Sequence, residues 1–407
     1  MKVAVAGGKL QGVEAAYLAH EAGWEVALVD HNPRAPAMGL CDVFHLLDIT
    51  VDDVALRKAI RSTDLVVPAL EDAEALRCLE RAAALEGVPI AYDPEAYSVS
   101  SSKKKSDSLF AECCVPAPKP GPGPLPLIAK PSCSSGSNGV TKLSTPEEYR
   151  AFVERVGNGI GDWVIQEFLE GPSYSLEVLG LHGRFQTLQV TQLEMDGSYD
   201  CKRVVAPSDL PPDLVRELER ITVEVSRRLD LKGVMDIEVI LHEGLLKVLE
   251  IDARLPSQTP TAVLKSCGEN ILRWLYRVFA EGTLPPVEVK PTKAVIYEHV
   301  WAHDGILEVT GEHIMGNAGP LRHLHDFFGS DEALTNFRSK DTPWAATLIF
   351  VAGTPEDVRD KEHEALKEMM AYCGLSLCLD PAPDDPFRER VVGFDTAHDR
   401  NARRHSC

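Results

Sequence analysis

Several features are missing from these 407 residues, and each absence removes a class of protein. No uninterrupted apolar run reaches membrane-spanning length, so no transmembrane helix is expected. The opening MKVAVAGG reads as a strand and a glycine turn rather than a leader, and a cytoplasmic location is expected. Positive charge is scarce. The 42 Lys and Arg stand against 62 Asp and Glu, a net charge of −20, which argues against a nucleic-acid or anionic-membrane partner. The ten cysteines form no CxxC pair and no regular framework, so reduced thiols are expected rather than disulfides or a zinc site. No glycine loop ends in GK[ST], which excludes a P-loop.

What remains is a chain that is 44% hydrophobic and long enough for two or three packed domains. KVAVAGG, WEVALVD, STDLVVPA and GVPIAYD are strand-like, and stretches such as LQGVEAAYLAHEAG between them have helical spacing. That alternation predicts a parallel, doubly wound, Rossmann-like domain over residues 1–95. Its first loop, Gly7-Gly8-Lys9-Leu10-Gln11-Gly12, resembles a dinucleotide fingerprint with Asp30 as the distal acid. Lys9, however, occupies the place where close pyrophosphate approach needs glycine. The loop therefore reads as a tight turn that opens a helix.

A connection from Pro116 to Pro126, with six prolines and two glycines, is expected to be a stiff surface link between a helix, KSDSLFAECC, and a strand ending at Lys130. Beyond it the pattern becomes strand-rich, with a long amphipathic helix over 214–229 and a hairpin turning at His242-Glu243-Gly244. Glu238 lies on one arm of that hairpin. Glu250 and Asp252 lie on the other at i and i+2, so they share a face. Converging carboxylates repel unless a cation neutralises them, and an oxygen-only set of this kind suits Mg2+. Lys130 followed by Ser134, Ser135, Gly136, Ser137, Asn138 and Gly139 offers one cation and a loop of hydroxyls and backbone N–H groups, the equipment for covering phosphate oxygens. His299 and His303, and the stretch His323–Asp326, read as structural, because no carboxylate completes a metal motif around them.

In order along the chain, a lysine before a helix (Lys104 or a neighbour), Lys130 with its loop, the VIQEFLEG strand, and Glu238 followed by Glu250-x-Asp252-x-Arg254 resemble the ATP-grasp superfamily of carboxylate-amine ligases over about residues 1–275. The resemblance implies an α/β and α+β fold with an N-terminal Rossmann-like domain (1–95), a small nucleotide-lid subdomain (96–167), a large subdomain with a C-terminal substrate and metal region (168–380), and a tail over 381–407 that need not be ordered. It implies ATP and Mg2+, two ions, as cofactors. ATP would sit between Lys104, Lys130, Ser134, Ser135, Gly136, Ser137 and the hinge residues Gln166, Glu167, Phe168, Leu169 and Glu170. Glu238, Glu250 and Asp252 would be the metal ligands, although the family motif usually ends Glu-x-Asn. Arg254, Lys130, Lys202 and Arg203 would stabilise the transferred phosphoryl group. Finer stretches, among them YDCKRVVAP, LEIDARLPSQTPT and GEHIMGNAGPL, resemble the pyrrolysine-biosynthesis ligases of that superfamily, a match that runs to about residue 380. That narrower resemblance implies a D-ornithine-type amino acid and L-lysine as substrates, with Lys9, Leu10, Gln11, Glu71, Asp72, Glu177, Arg254 and Ser257 as contacts. It leaves a homodimer open. Alternatives are another ATP-grasp ligase of amino acids or of a purine intermediate, a nicotinamide-dependent oxidoreductase, and a non-catalytic nucleotide-binding protein.

Overall fold

The computed structural model describes residues 1–134 and 136–390. Its N-terminal unit contains β1 (Lys2–Ala6), α1 (Leu10–Glu21), β2 (Glu25–Asp30), β3 (Val43–Leu46), α2 (Asp53–Ile60), β4 (Leu65–Pro68) and α3 (Ala73–Glu86). The four strands are parallel, in the order β3-β2-β1-β4. GVPIAYD contributes only a single bridge, Val66 to Ile90, rather than a strand. In the first loop the backbone N–H of Gly8 donates to Asp30 Oδ2 at 2.6 Å. A Cβ on Gly12 would stand 2.1 Å from the Gly7 carbonyl oxygen. Asp30 thus closes its own turn, which is the tight-turn reading of the sequence.

Next come α4 (Pro94–Ser100), α5 (Lys103–Glu112), β5 (Leu127–Pro131), β6 (Thr141–Leu143), α6 (Pro146–Val156) and β7 (Trp163–Glu167). The last three strands form a small antiparallel sheet, β6-β5-β7, over a core of Leu127, Ala129, Leu143 and Phe152. The proline-rich link runs along the edge of this sheet. Gly121 N–H donates to Ile165 O at 2.7 Å and Glu167 N–H to Lys119 O at 2.9 Å.

The rest of the described chain builds one twelve-stranded sheet. Its strands are β8 (Ser173–Leu181), β9 (Arg184–Thr187), β10 (Thr191–Met195), β11 (Cys201–Ala206), β12 (Gly233–His242), β13 (Leu245–Asp252), β14 (Ala294–His303), β15 (Ile306–Val309), β16 (Arg322–Phe327), β17 (Ser330–Thr335), β18 (Trp344–Ala352) and β19 (Leu377–Leu379). The principal order is β13-β12-β8-β10-β11-β14-β18-β17-β16, all antiparallel. All nine residues of β8 are buried, as expected of a strand covered on both faces. One cover is α7 (Pro212–Leu229), which turns Leu218, Ile221 and Val225 onto a core shared with Leu176, Ile237 and Val248. α8 (Thr259–Cys267) and α9 (Ile271–Tyr276) join the sheet to α1, where Glu14 Oε1 accepts from both Thr261 N and Thr261 Oγ1 at 2.7 Å. α10 (Pro355–Cys373) covers β14 and β18.

Residues 381–390, which the sequence assigns to a tail, are packed: Arg390 makes a two-pronged contact with Glu362 at 2.9 and 2.8 Å. The remainder of that segment, 391–407, lies outside the described residues. Among the described residues no helix is long and apolar enough to cross a membrane, and the nine cysteines are unpaired.

Candidate active site

Two cavities meet over the β12–β13 hairpin. The pairing register sets Glu238 opposite Glu250 and Asp236 opposite Asp252, so four carboxylates stand on one face of two adjacent strands. Like charges set opposite one another are destabilising without a counterion. Burial, reinforced by neighbouring carboxylates, pushes Asp236 up to about 6 and Asp252 up to about 7, and holds Glu238 well above the ordinary carboxylate range. A rigid pair of strands presenting only hard oxygen donors fits Mg2+.

The first cavity has apolar walls, including Ile128, Val140, Phe168, Leu169, Ile240 and Leu249, and ends at Lys103, Lys130, Glu238 and Glu250. Lys103 Nζ stands 3.1 Å from Glu250 Oε1 and 2.7 Å from the Ser134 carbonyl oxygen. Lys130 projects from β5 at the same end; burial draws it below the usual lysine range, opposed by the charge of Glu250. A chamber with apolar walls and a cationic end suits a purine and its polyphosphate.

The second cavity is polar. Asp236, Glu238, Glu250, Asp252 and Arg254 line one side, and Ser257, Gln258, Thr259 and Glu312 the other. Arg254 Nη2 is 2.7 Å from both Asp252 Oδ2 and Glu71 Oε1. Between the two cavities stand Gly136, Ser137, Met195 and Tyr199, which border both. Ser137 Oγ donates to the Tyr199 carbonyl oxygen at 2.6 Å, so the glycine-serine loop is fastened to the turn that precedes β11.

Residues 100–258 match the ATP-grasp domain model. Two curated relatives cover nearly the whole length: the 3-methyl-D-ornithine--L-lysine ligase of Methanosarcina acetivorans, 33% identical over 89% of this chain and 96% of that protein, and that of Methanosarcina barkeri, 35% identical over 92% and 99%. The chain belongs to the ATP-grasp family. The crystal structure of the biotin carboxylase domain dimer of Hydrogenobacter thermophilus 2-oxoglutarate carboxylase, in complex with MgADP, ADP and bicarbonate, superposes with a TM-score of 0.69 at 17% identity, over 90% of this chain and 89% of that one. The ATP-grasp fold is therefore shared, from the N-terminal parallel sheet to the antiparallel sheets, and the protein is an ATP-dependent carbon–nitrogen ligase.

Of the residues named from the sequence, the structure brings Lys130, Ser134, Gly136, Ser137, Gln166, Glu167, Phe168, Leu169, Glu238, Glu250, Asp252, Arg254 and Ser257 together along one or both cavities. Ser135 lies outside the described residues. Others stand elsewhere. Lys104 is turned away, its ammonium bonded to the Gly161 carbonyl; Lys103, one residue earlier on α5, takes the position facing Glu250. Lys202 and Arg203 line neither cavity. The β10–β11 register slips by one residue next to Glu194, and this bulge sets both consecutive side chains against Asp380, away from the cavities. Arg203 is there enclosed by Glu194, Glu298 and Glu362 as well.

Asp72 caps α3, accepting from Glu74 N and Ala75 N, and is spent on the helix end. Glu71 is engaged by Arg254 at 2.7 Å and by Gln11 Nε2 at 3.3 Å, contacts that help to orient the arginine. Lys9, Leu10 and Gln11 at the start of α1 line neither cavity, and Glu170 is exposed beyond the hinge, 3.8 Å from Lys142 Nζ. Glu177 is fully buried in β8, beside Asp236 in the pairing register and on the same face, and lines neither cavity. The sequence reading missed Asp236, Tyr199, Gln258 and Glu312. Asp236 alone had a local signal, since it precedes Glu238 by the same two-residue step that links Glu250 to Asp252.

Proposed function

We propose that the enzyme activates the carboxylate of a D-ornithine-type amino acid, 3-methyl-D-ornithine, with ATP and joins it to the ε-amine of L-lysine, as a step of pyrrolysine biosynthesis. The observation that carries this reading is the shared wall at Glu238 and Glu250 between an apolar, lysine-ended chamber and a carboxylate-lined one. The full-length likeness to the Methanosarcina ligases supports the choice of substrates.

A carboxylate is a poor electrophile, and phosphorylation corrects this. A carboxylate oxygen attacks the γ-phosphorus in line, the bond from phosphorus to the bridging oxygen breaks, and ADP departs with that electron pair. Lys103 and Lys130 hold the phosphate chain from the loop side and from β5, offsetting its charge as it shifts toward ADP. Arg254, oriented by Asp252 and Glu71, donates to the acyl phosphate and then to the oxyanion formed when the amine adds to the acyl carbon. Loss of phosphate completes the amide. Glu238, Glu250 and Asp252 would hold Mg2+, two ions in this reading, which when bound spreads the negative charge of the phosphate oxygens. An ε-ammonium must shed its proton before attack, since its ordinary pKa is about 10.4, and the acidic wall of the second cavity supplies acceptors for it.

Incubation with ATP, Mg2+, 3-methyl-D-ornithine or D-ornithine, and L-lysine, followed by mass analysis, tests the reading. An isopeptide and one ADP per bond are expected, with no product from Nε-acetyl-lysine and reduced but present product from Nα-blocked lysine. Turnover with the ε-acetylated compound and none with the α-blocked one would overturn ε-attack and favour a different amino-acid ligase.

A further inference from the structure

We infer that His323, His325 and Glu332 form a site for a divalent transition-metal ion, Zn2+ or one of its first-row neighbours, apart from the carboxylate hairpin. Along the chain no carboxylate completes a metal motif around the two histidines; the fold brings one from the next strand. His323 and His325 stand at i and i+2 on β16, so they share a face, and β17 sets Glu332 directly opposite His325. His323 Nε2 is 2.8 Å from Glu332 Oε2, and the centroids of the two imidazole rings are 4.6 Å apart. One ligand atom from each of the three residues lies within 4.8 Å of the other two.

Two imidazoles and one carboxylate are a donor set for Zn2+ and its neighbours, whereas Mg2+ keeps to oxygen. Ligand atoms of one tetrahedral ion stand about 3.4 Å apart, so His323 and Glu332 are already close enough and only His325 has to swing inward. No hydrogen bond among the described residues restrains it, and it is exposed. The other two ligands are held from behind. Tyr17 Oη, on α1, donates to Glu332 Oε2 at 2.7 Å, and the Tyr17 ring meets the His323 ring edge-on at 5.4 Å. Lys265 Nζ, on α8, takes the other oxygen, Glu332 Oε1, at 2.5 Å. Such outer hydrogen bonds fix the direction in which a ligating carboxylate points. The charge of Lys265 is answered separately by Glu21 Oε2 at 2.7 Å. Metal binding would exchange the bond between His323 and Glu332 for coordination by both, with the Tyr17 and Lys265 contacts kept.

The site lies where three parts of the chain meet. β16 and β17 end the large sheet, α1 belongs to the N-terminal unit, and α8 follows the carboxylate hairpin; through Tyr17, Lys265 and His323, Glu332 touches an element of each. An ion held there would fasten the edge strand β16 at this junction. Because it binds only the folded arrangement, it would stabilise the fold by mass action.

Calorimetric titration of the full, thiol-reduced chain with Zn2+ in excess Mg2+, together with the absorption spectrum of the Co2+ form, tests this. One Zn2+ site is expected, and Co2+ should give visible ligand-field bands without the near-ultraviolet transition of a thiolate ligand. His325→Ala should keep its fold and its affinity for MgATP, lower Zn2+ affinity at least about tenfold, and abolish the zinc-dependent rise in melting temperature. Glu250→Gln should leave the Zn2+ affinity within about twofold, since the hairpin is a different site. Should His325→Ala lose its fold in a thermal melt, His325→Gln decides in its place. The site is overturned if the folded His325 variant retains wild-type Zn2+ affinity, if Glu250→Gln removes that affinity instead, if the Co2+ spectrum shows sulfur ligation, or if the wild type binds no zinc.

Discussion

Lys103 Nζ lies 3.1 Å from Glu250 Oε1 and 2.7 Å from the Ser134 carbonyl, so one ammonium ties the carboxylate strand to the glycine-serine loop. Its neighbour Lys104 reaches only Gly161 O at the surface. Lys103→Ala should therefore weaken MgATP binding by at least about tenfold, the loss of a charged hydrogen bond in an enclosed site, while Lys104→Ala should leave it nearly unchanged. Equilibrium titration with nucleotide checks both, and equal effects would remove the distinction between them.

Glu250→Gln keeps the length and shape of the side chain but removes one negative charge from the set of Asp236, Glu238 and Asp252. ADP release and product formation should fall to background while the melting curve is retained or improved, because repulsion on the hairpin is relieved. Wild-type turnover by this variant would show that the hairpin does not serve the reaction.

Arg203 is 4% exposed and sits 2.8 Å from Glu298 Oε2 and 3.2 Å from Glu362 Oε1. Arg203→Met should cost about 3–5 kcal/mol of stability, because it leaves buried carboxylates without their cation. Turnover per folded molecule should persist. Denaturant midpoints and kcat, read together, decide: a large loss of kcat at unchanged stability would return Arg203 to the catalytic group.

The same cluster predicts a pH effect. Although burial works against it, contact with Arg390 and the charge of Arg203 hold Glu362 down at about 2, from an ordinary value of 4.5. An acid depressed in the folded state contributes stability above its unfolded value and loses that contribution as pH falls toward the folded one. Stability should thus decline from about pH 4.5 toward pH 2, and Glu362→Gln, less stable at neutral pH, should show a shallower decline over that window. An unchanged slope in the variant would mean that other carboxylates account for the acid lability.

The hairpin carboxylates were legible in the sequence because a period of two is local information, and the N-terminal sheet because strand and helix patterns alternate there. Lys103 was not separable from Lys104 and Lys105: consecutive positions at a helix start differ only in the direction they face, and the docking of α5 against β13 sets that direction. Lys202 and Arg203 misled for a related reason. Two adjacent cations in a strand suggest a ligand, whereas their partners Glu298, Glu362 and Asp380 lie roughly a hundred to nearly two hundred residues away and a bulge turns both side chains toward them. Gln258 and Glu312 carry no local sign at all, since they reach the second cavity from separate segments of the chain.

The hydrogen bond from Ser137 to Tyr199 gives the two chambers a common wall. A wall that is shared cannot be lifted for one side alone. Under the proposed reaction, any displacement of Ser137 from Tyr199 would open both compartments together, so an acyl phosphate would be shielded from water only for as long as the nucleotide chamber stays closed.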